Sequence, residues 1–257
     1  MLWIWLNNRA LLNVLDLLIV NGWSANAKFW TDFEQGIDQT VKFTVIDLDK
    51  DLNLQEYLDL IDQSVTANTL ILGWSLGGSL AIQYAASSQR PFLGLVTLQT
   101  NPCFVSQDNW PMGMDKALFE SLQALVMNDE VSVLSRQFSH LLVKGSDQHR
   151  SDRAYLKMVY QEGSLPSQAT LLSGLALLAR MDVRECLEKI SLPCLHIYGA
   201  KDSLVNVQLV EKVKKLNPLH CCEIFKDMGH LPSGAYRSQI QNALNAFINA
   251  RFEKVER

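Results

Sequence analysis

The hydroxyl best placed for chemistry in this chain belongs to Ser75, in the pentapeptide Gly73-Trp74-Ser75-Leu76-Gly77. G-x-S-x-G is the pattern of a nucleophile elbow, a serine at the tightest point of a strand-to-helix turn. Small residues two positions away on either side let strand and helix approach, so that the hydroxyl projects clear. The helix that starts there turns its positive end and free N–H groups toward any anion forming at the serine. The Leu76 amide is expected to be one oxyanion donor. The competing reading is an ordinary turn whose glycines merely permit tight packing. The apolar run "LIL" before the motif, the helical pattern after it, and Gly78 beyond favour the elbow.

A serine hydroxyl is a weak nucleophile near neutral pH, so it needs a base and a group that orients the base. The motif predicts the chain order serine, acid, histidine. Of the five histidines, His196 sits inside an apolar strand pattern and reads as a packed strand residue, while His140 and His149 fall in a helical block. His230 follows the last strand pattern in "EIFKDMGHLP" and is taken as the base, because such sites assemble on loops at strand C-terminal ends. The acid closes the preceding strand in "YGAKDSLVN", at Asp202; Asp227 competes but lies in the loop that already carries His230. A second oxyanion donor is expected at the Trp23 amide, in "LLIVNGWSAN", where Gly22 allows the turn. A plain β-turn is the alternative for Asn21-Gly22.

These loops need a scaffold. Apolar runs at 15–20, 42–48, 69–75, 93–100, 193–199 and 220–225 alternate with helical patterns, which predicts an α/β fold with a mostly parallel, doubly wound sheet. Between about Ser106 and Arg184 only helical patterns occur. The expected division is therefore a core made of residues 1-105 and 185-257, with an all-helical cap, 106-184, inserted in it. A chain of 257 residues suits one sizeable core of this kind. With 23 basic against 27 acidic residues, nothing global points to nucleic acid. Five cysteines without metal-ligand spacing read as reduced thiols of a cytoplasmic protein. The apolar N-terminus is broken by polar residues and reads as two short buried strands, not a signal or membrane segment. The triad chemistry requires no metal or organic cofactor.

Across nearly the whole chain the pattern resembles the α/β-hydrolase superfamily, and within it the pimeloyl-acyl-carrier-protein methyl ester esterases of biotin synthesis. The resemblance is carried by "NGWSANAKFW", "GWSLGG", "NPCF" with "NWP", "LHIYGAKDSLV" and "IFKDMGHLP". It implies a serine carboxylesterase in which Ser75 attacks a methyl ester, His230 moves the proton and Asp202 holds the imidazole. The implied substrate is a dicarboxylic acyl chain on an acyl carrier protein, the expected partner of a monomeric enzyme. The alternative is a general short-chain carboxylesterase or carbon–carbon bond hydrolase with no need of a carrier. Trp23, Trp74, Phe104 and Phe138 are candidates to line a slot for methylenes, with core packing as the other reading of Phe138.

The carrier is acidic, and 136–157 holds Arg136, Lys144, Arg150, Arg153 and Lys157 against Asp147 and Asp152. Arg136, Arg150 and Arg153 are the candidate carrier-binding residues, although a solvated helix face has the same look. Anchored on Phe138 and Gly145, Arg150 falls on a family arginine position, while Arg136 and Arg153 are each displaced by one residue. A second departure is Asn21, where the family has histidine.

Overall fold

The computed structural model describes residues 14–162, 166–232 and 234–252. Six strands, β1 (Leu15–Val20), β2 (Val41–Ile46), β3 (Thr69–Trp74), β4 (Gly94–Leu98), β5 (Cys194–Gly199) and β6 (Cys221–Phe225), form one sheet in the order β2-β1-β3-β4-β5-β6. Every pair is parallel, with Val20 opposite Gly73, Trp74 opposite Leu98, and Leu98 opposite Ile197. The physical reason lies in the sequence: "TLILGW", "GLVTL" and "CLHIYG" are buried at every position, as strands covered on both faces must be. The edge strands β2 and β6 are only partly buried. Of the two strands expected before residue 21, the first lies outside the described residues and the second is β1.

Helices α1 (Leu54–Ser64) and α2 (Leu76–Ser87) follow β2 and β3. A reciprocal capping box starts α1: the Glu56 amide donates to Asn53 Oδ1 at 3.1 Å and the Asn53 amide to Glu56 Oε2 at 2.8 Å. Unlike α1, α2 is buried along most of its length, because it packs on β3, β4, α1 and a later helix, α7 (Arg184–Lys189). The chain then runs through α3 (Lys116–Met127), α4 (Val131–Val143), α5 (His149–Glu162) and α6 (Gln168–Arg180) before α7 and β5. Residues 103–114 fold on themselves through isolated bridges, and Cys103 pairs with Asp182 where the chain leaves and returns. After β5 come α8 (Val210–Leu216), β6 and α9 (Gly234–Phe252).

Parallel order brings the C-terminal ends of β1, β3, β4, β5 and β6 to one edge of the sheet. The loops carrying residues 21–23, 75–76, 99–101, 200–206 and 226–232 therefore meet there. No helix among the described residues is long and apolar enough to cross a membrane.

Candidate active site

Ser75 joins β3 to α2 with φ 54° and ψ −119°, a left-handed conformation that an L-residue holds only when its surroundings enforce it. They do so here. The Ser75 amide donates to Leu98 O at 2.9 Å, and its carbonyl accepts from the Gly78 amide and from Thr100 Oγ1 at 3.0 and 3.2 Å. A Cβ on Gly73 would lie 2.5 Å from Gly77 O, and one on Gly77 would lie 2.1 Å from Val20 O. Only glycines let β1, β3 and α2 close to this distance.

The loops after β5 and β6 bring the other two residues. His230 Nε2 lies 3.1 Å from Ser75 Oγ, and His230 Nδ1 lies 2.8 Å from Asp202 Oδ2. With Nδ1–H donating to the carboxylate, Nε2 is left to accept the serine proton. Asp202 is held by its other oxygen, which accepts from the Leu204 and Val205 amides at 2.7 and 2.9 Å. Both side chains are shielded from solvent, which strengthens the bond between them. Trp74 packs behind the histidine with its indole N–H on His230 O at 3.2 Å.

The loop after β1 reaches the serine from the opposite side: a Cβ on Gly22 would sit 3.4 Å from Ser75 Cβ. Among the described residues, neither the Trp23 nor the Leu76 amide has a hydrogen-bond acceptor, although both residues are buried. Buried backbone donors rarely go unpaired, so these two amides remain the candidates to bind an anion. Asn21 braces this loop. Its Nδ2 donates to Asp47 Oδ1 at 2.8 Å, and its Oδ1 accepts from Trp30 Nε1 at 3.0 Å. Burial raises the Asp47 pKa, and the bonds from Asn21 and the Ala27 amide oppose that rise.

The four aromatic candidates separate. Trp23 and Phe138 meet edge to face at 4.7 Å, and with Ser24, Leu134, Ser135, Tyr160 and Leu171 they line a slot of about 10 Å³. The Trp23 indole N–H is fixed on Leu171 O at 3.0 Å. Trp74 instead meets Phe29 at a tilt and Trp30 edge to face, and Phe104 packs on Phe119 of α3. Ser135 and Tyr160 also line a far larger cavity of about 910 Å³ between α4 and α5, shared with Arg136, His140, Arg153 and Lys157. Arg150 is exposed at the start of α5, away from that lining.

Two residues escaped the sequence reading. Gln99 and Thr100 follow β4, and their side chains bond into the loops of all three candidate catalytic residues. The amide of Gln99 carried no motif; only a polar pair at the end of an otherwise apolar strand marked the place. His196 is buried within β5 as expected, and burial pulls its pKa down to about 3. Among the described residues no group of three or more histidine, cysteine or acidic side chains has the arrangement of a metal site.

The model of the alpha/beta hydrolase fold family matches residues 17–233. The chain is 31% identical over 244 residues to the pimeloyl-(acyl-carrier protein) methyl ester esterase of Edwardsiella ictaluri, covering 92% of this chain and 94% of that protein. It is 29% identical over 243 residues to the protein of that name from Serratia marcescens, covering 91% and 94%. Among solved structures, a bromoperoxidase from Bacillus anthracis superposes with a TM-score of 0.79 at 18% identity, over 91% of this chain and 92% of that one. An esterase from Exiguobacterium antarcticum gives 0.76 at 18% identity, with the same coverage. At such identities these two likenesses speak for the fold alone.

Proposed function

The chain belongs to the alpha/beta hydrolase fold family and, within it, to the pimeloyl-(acyl-carrier protein) methyl ester esterases, and from this membership we propose that it hydrolyses the methyl ester of a carrier-linked pimeloyl chain in biotin synthesis. The observation that carries the reading is the relay of Ser75, His230 and Asp202 at 3.1 and 2.8 Å. Ser75 Oγ attacks the ester carbonyl and its proton passes to His230 Nε2, while Asp202 stabilises the imidazolium. The Trp23 and Leu76 amides hold the oxyanion. His230 returns the proton to the departing methoxide, so methanol leaves. A water then gives its proton to His230 and its oxygen to the acyl carbon, and Ser75 is released with the free carboxylate. Loss of one oxyanion donor typically costs about 2.7–4 kcal/mol in such chemistry.

Residues 106-184 act in this reading as a cap over the core formed by 1-105 and 185-257. The large cavity between α4 and α5, with Arg136, Arg153, Lys157 and His140 in its lining, suits the approach of an acidic carrier. From there Ser135 and Tyr160 lead to the slot beside Trp23 and Phe138, which must widen to admit methylenes.

The test compares methyl pimeloyl-acyl-carrier protein with methyl butyrate and p-nitrophenyl butyrate, with Ser75→Ala as control. A strong preference for the carrier-bound ester, abolished in Ser75→Ala, is the expected result. Equal rates on all three would reduce the protein to a general short-chain carboxylesterase. Full activity in Ser75→Ala would remove the nucleophile assignment.

A further inference from the structure

We infer that Gln99 is a positioning residue that sets the geometry of the His230–Asp202 pair, a role that rests on reading those residues as part of a catalytic triad. Gln99 is fully buried one residue past β4, with φ 51°, in the left-handed region that favours glycine or asparagine. A long unbranched amide therefore sits against the local backbone preference, held by what its side chain does.

That side chain spans two loops. Its Oε1 accepts from the Gly199 amide at 2.8 Å and its Nε2 donates to Gly229 O. Gly199 ends β5, and its own carbonyl accepts from the Asp202 amide at 3.2 Å. Gly229 immediately precedes His230. One carboxamide thus joins the root of the acid loop to the root of the histidine loop. These loops also meet through backbone, in the bonds from the Lys201 amide to Met228 O at 3.0 Å and from the Ala200 amide to Phe225 O at 2.9 Å. The Gln99 bridge adds a side-chain tie at Gly229, the residue immediately before His230, which those backbone bonds do not reach.

There is no slack around the bridge: a Cβ on Gly199 would lie 2.6 Å from Gln99 Nε2 and 2.2 Å from Met228 O. The neighbours of Gln99 attend to the serine. Leu98 O accepts from the Ser75 amide at 2.9 Å, and Thr100 Oγ1 donates to Ser75 O at 3.2 Å. Three consecutive residues at the exit of β4 therefore touch all three catalytic segments. The bridge needs one donor and one acceptor at opposite corners of a planar group, which an ionised glutamate lacks and an asparagine is too short to deliver.

Gln99→Met keeps the length and loses both hydrogen bonds. The readouts are kcat and KM on methyl butyrate and the downfield proton resonance of His230 Nδ1–H. We expect kcat to fall about 10- to 100-fold with KM within about twofold, and the resonance to shift or broaden, because small misplacement of reacting groups is felt in the chemical step. Gln99→Gly, which accepts the left-handed backbone without strain yet lacks the bridge, should show the same pattern and serves if Gln99→Met does not fold. A kcat within about twofold of wild type together with an unshifted resonance would overturn the inference. Wild-type protein without ester turnover would defeat the esterase reading instead, while the resonance still reports on Gln99.

Discussion

Asn21 shows how one side chain carries a loop. Where the family resemblance leads one to expect histidine, its amide binds Asp47 and Trp30 at once and stays fully buried. Truncation in Asn21→Ala leaves the buried Trp30 indole N–H without this acceptor, at about 1–3 kcal/mol, and takes one donor from the half-buried Asp47 carboxylate, which keeps the Ala27 amide. A lowered melting temperature is the expected result, with a drop in kcat exceeding any rise in KM, since the braced loop holds the Trp23 amide. Unchanged kcat would mean the loop keeps its form without the brace. Cys103, also close to the exit of β4, has its pKa pushed up to about 11 by burial, so it stays a packed thiol with no nucleophilic part.

At the scale of elements, the turn between α4 and α5 is tied to the histidine loop. Ser146 donates to Asp152 Oδ2 at 2.6 Å and lies 3.1 Å from the Tyr236 hydroxyl, which itself donates to Asp227 O at 2.5 Å. The Asp147 amide also reaches Asp227 O, at 3.3 Å. Asp152 is buried, and among the described residues its Oδ1 has no hydrogen-bond partner. Ser146→Ala therefore strips the remaining side-chain donor from a buried carboxylate, a loss of about 1–3 kcal/mol, and each kcal/mol lowers the melting point by about 2–4 °C in a chain of this size. Calorimetry or a thermal melt reads this directly.

The same helices separate the arginines. Arg153 faces the large cavity and Arg150 does not. Arg153→Glu is expected to raise KM for a carrier-linked ester several-fold more than Arg150→Glu does, with a smaller effect of either on a free methyl ester. Equal effects would make the basic lining a solvated helix surface. This contrast was not legible in the sequence, where the three arginines differ only in spacing: which face of a helix turns toward a cavity depends on what the other face packs against.

Across the whole molecule, β4, β5 and the loop after α8 share a buried polar chain. Thr97 Oγ1 meets His196 Nδ1 at 2.7 Å, His196 Nε2 meets His220 Nδ1 at 3.0 Å, and His220 Nε2 lies 3.2 Å from Ile190 O. The chain is satisfied when both imidazoles are neutral, since every ring nitrogen then has one complementary partner. Burial lowers both pKa values, that of His196 to about 3. The unfolded chain therefore binds protons below its ordinary histidine range while the folded one does not. For His196 the stabilisation is present above about pH 6.5 and is lost as pH falls from there toward about 3, with a slope of about 1.4 kcal/mol per pH unit, and His220 contributes in the same direction. Urea midpoints at pH 7.5 and 5.5 should differ accordingly, and His196→Gln, which retains a donor and an acceptor but does not titrate, should flatten the slope.

By itself the sequence determined the alternation of strand and helix, because continuous apolar runs can be satisfied only by strands covered on both faces. It likewise singled out Ser75, Asp202 and His230, each in a local pattern whose chemistry and order are readable, and these three side chains lie together at 3.1 and 2.8 Å. What only the tertiary structure decided depends on contacts between segments far apart in the chain: Gln99 bridging Gly199 and Gly229, Asp147 bonded to Asp227 of the histidine loop, and Trp23 with Phe138 parting company from Trp74 and Phe104. The physical reason is common to all of them. Periodicity and motif report which face a residue turns inward, whereas a hydrogen bond across 100 or 130 residues is specified by the packing that brings its two ends together.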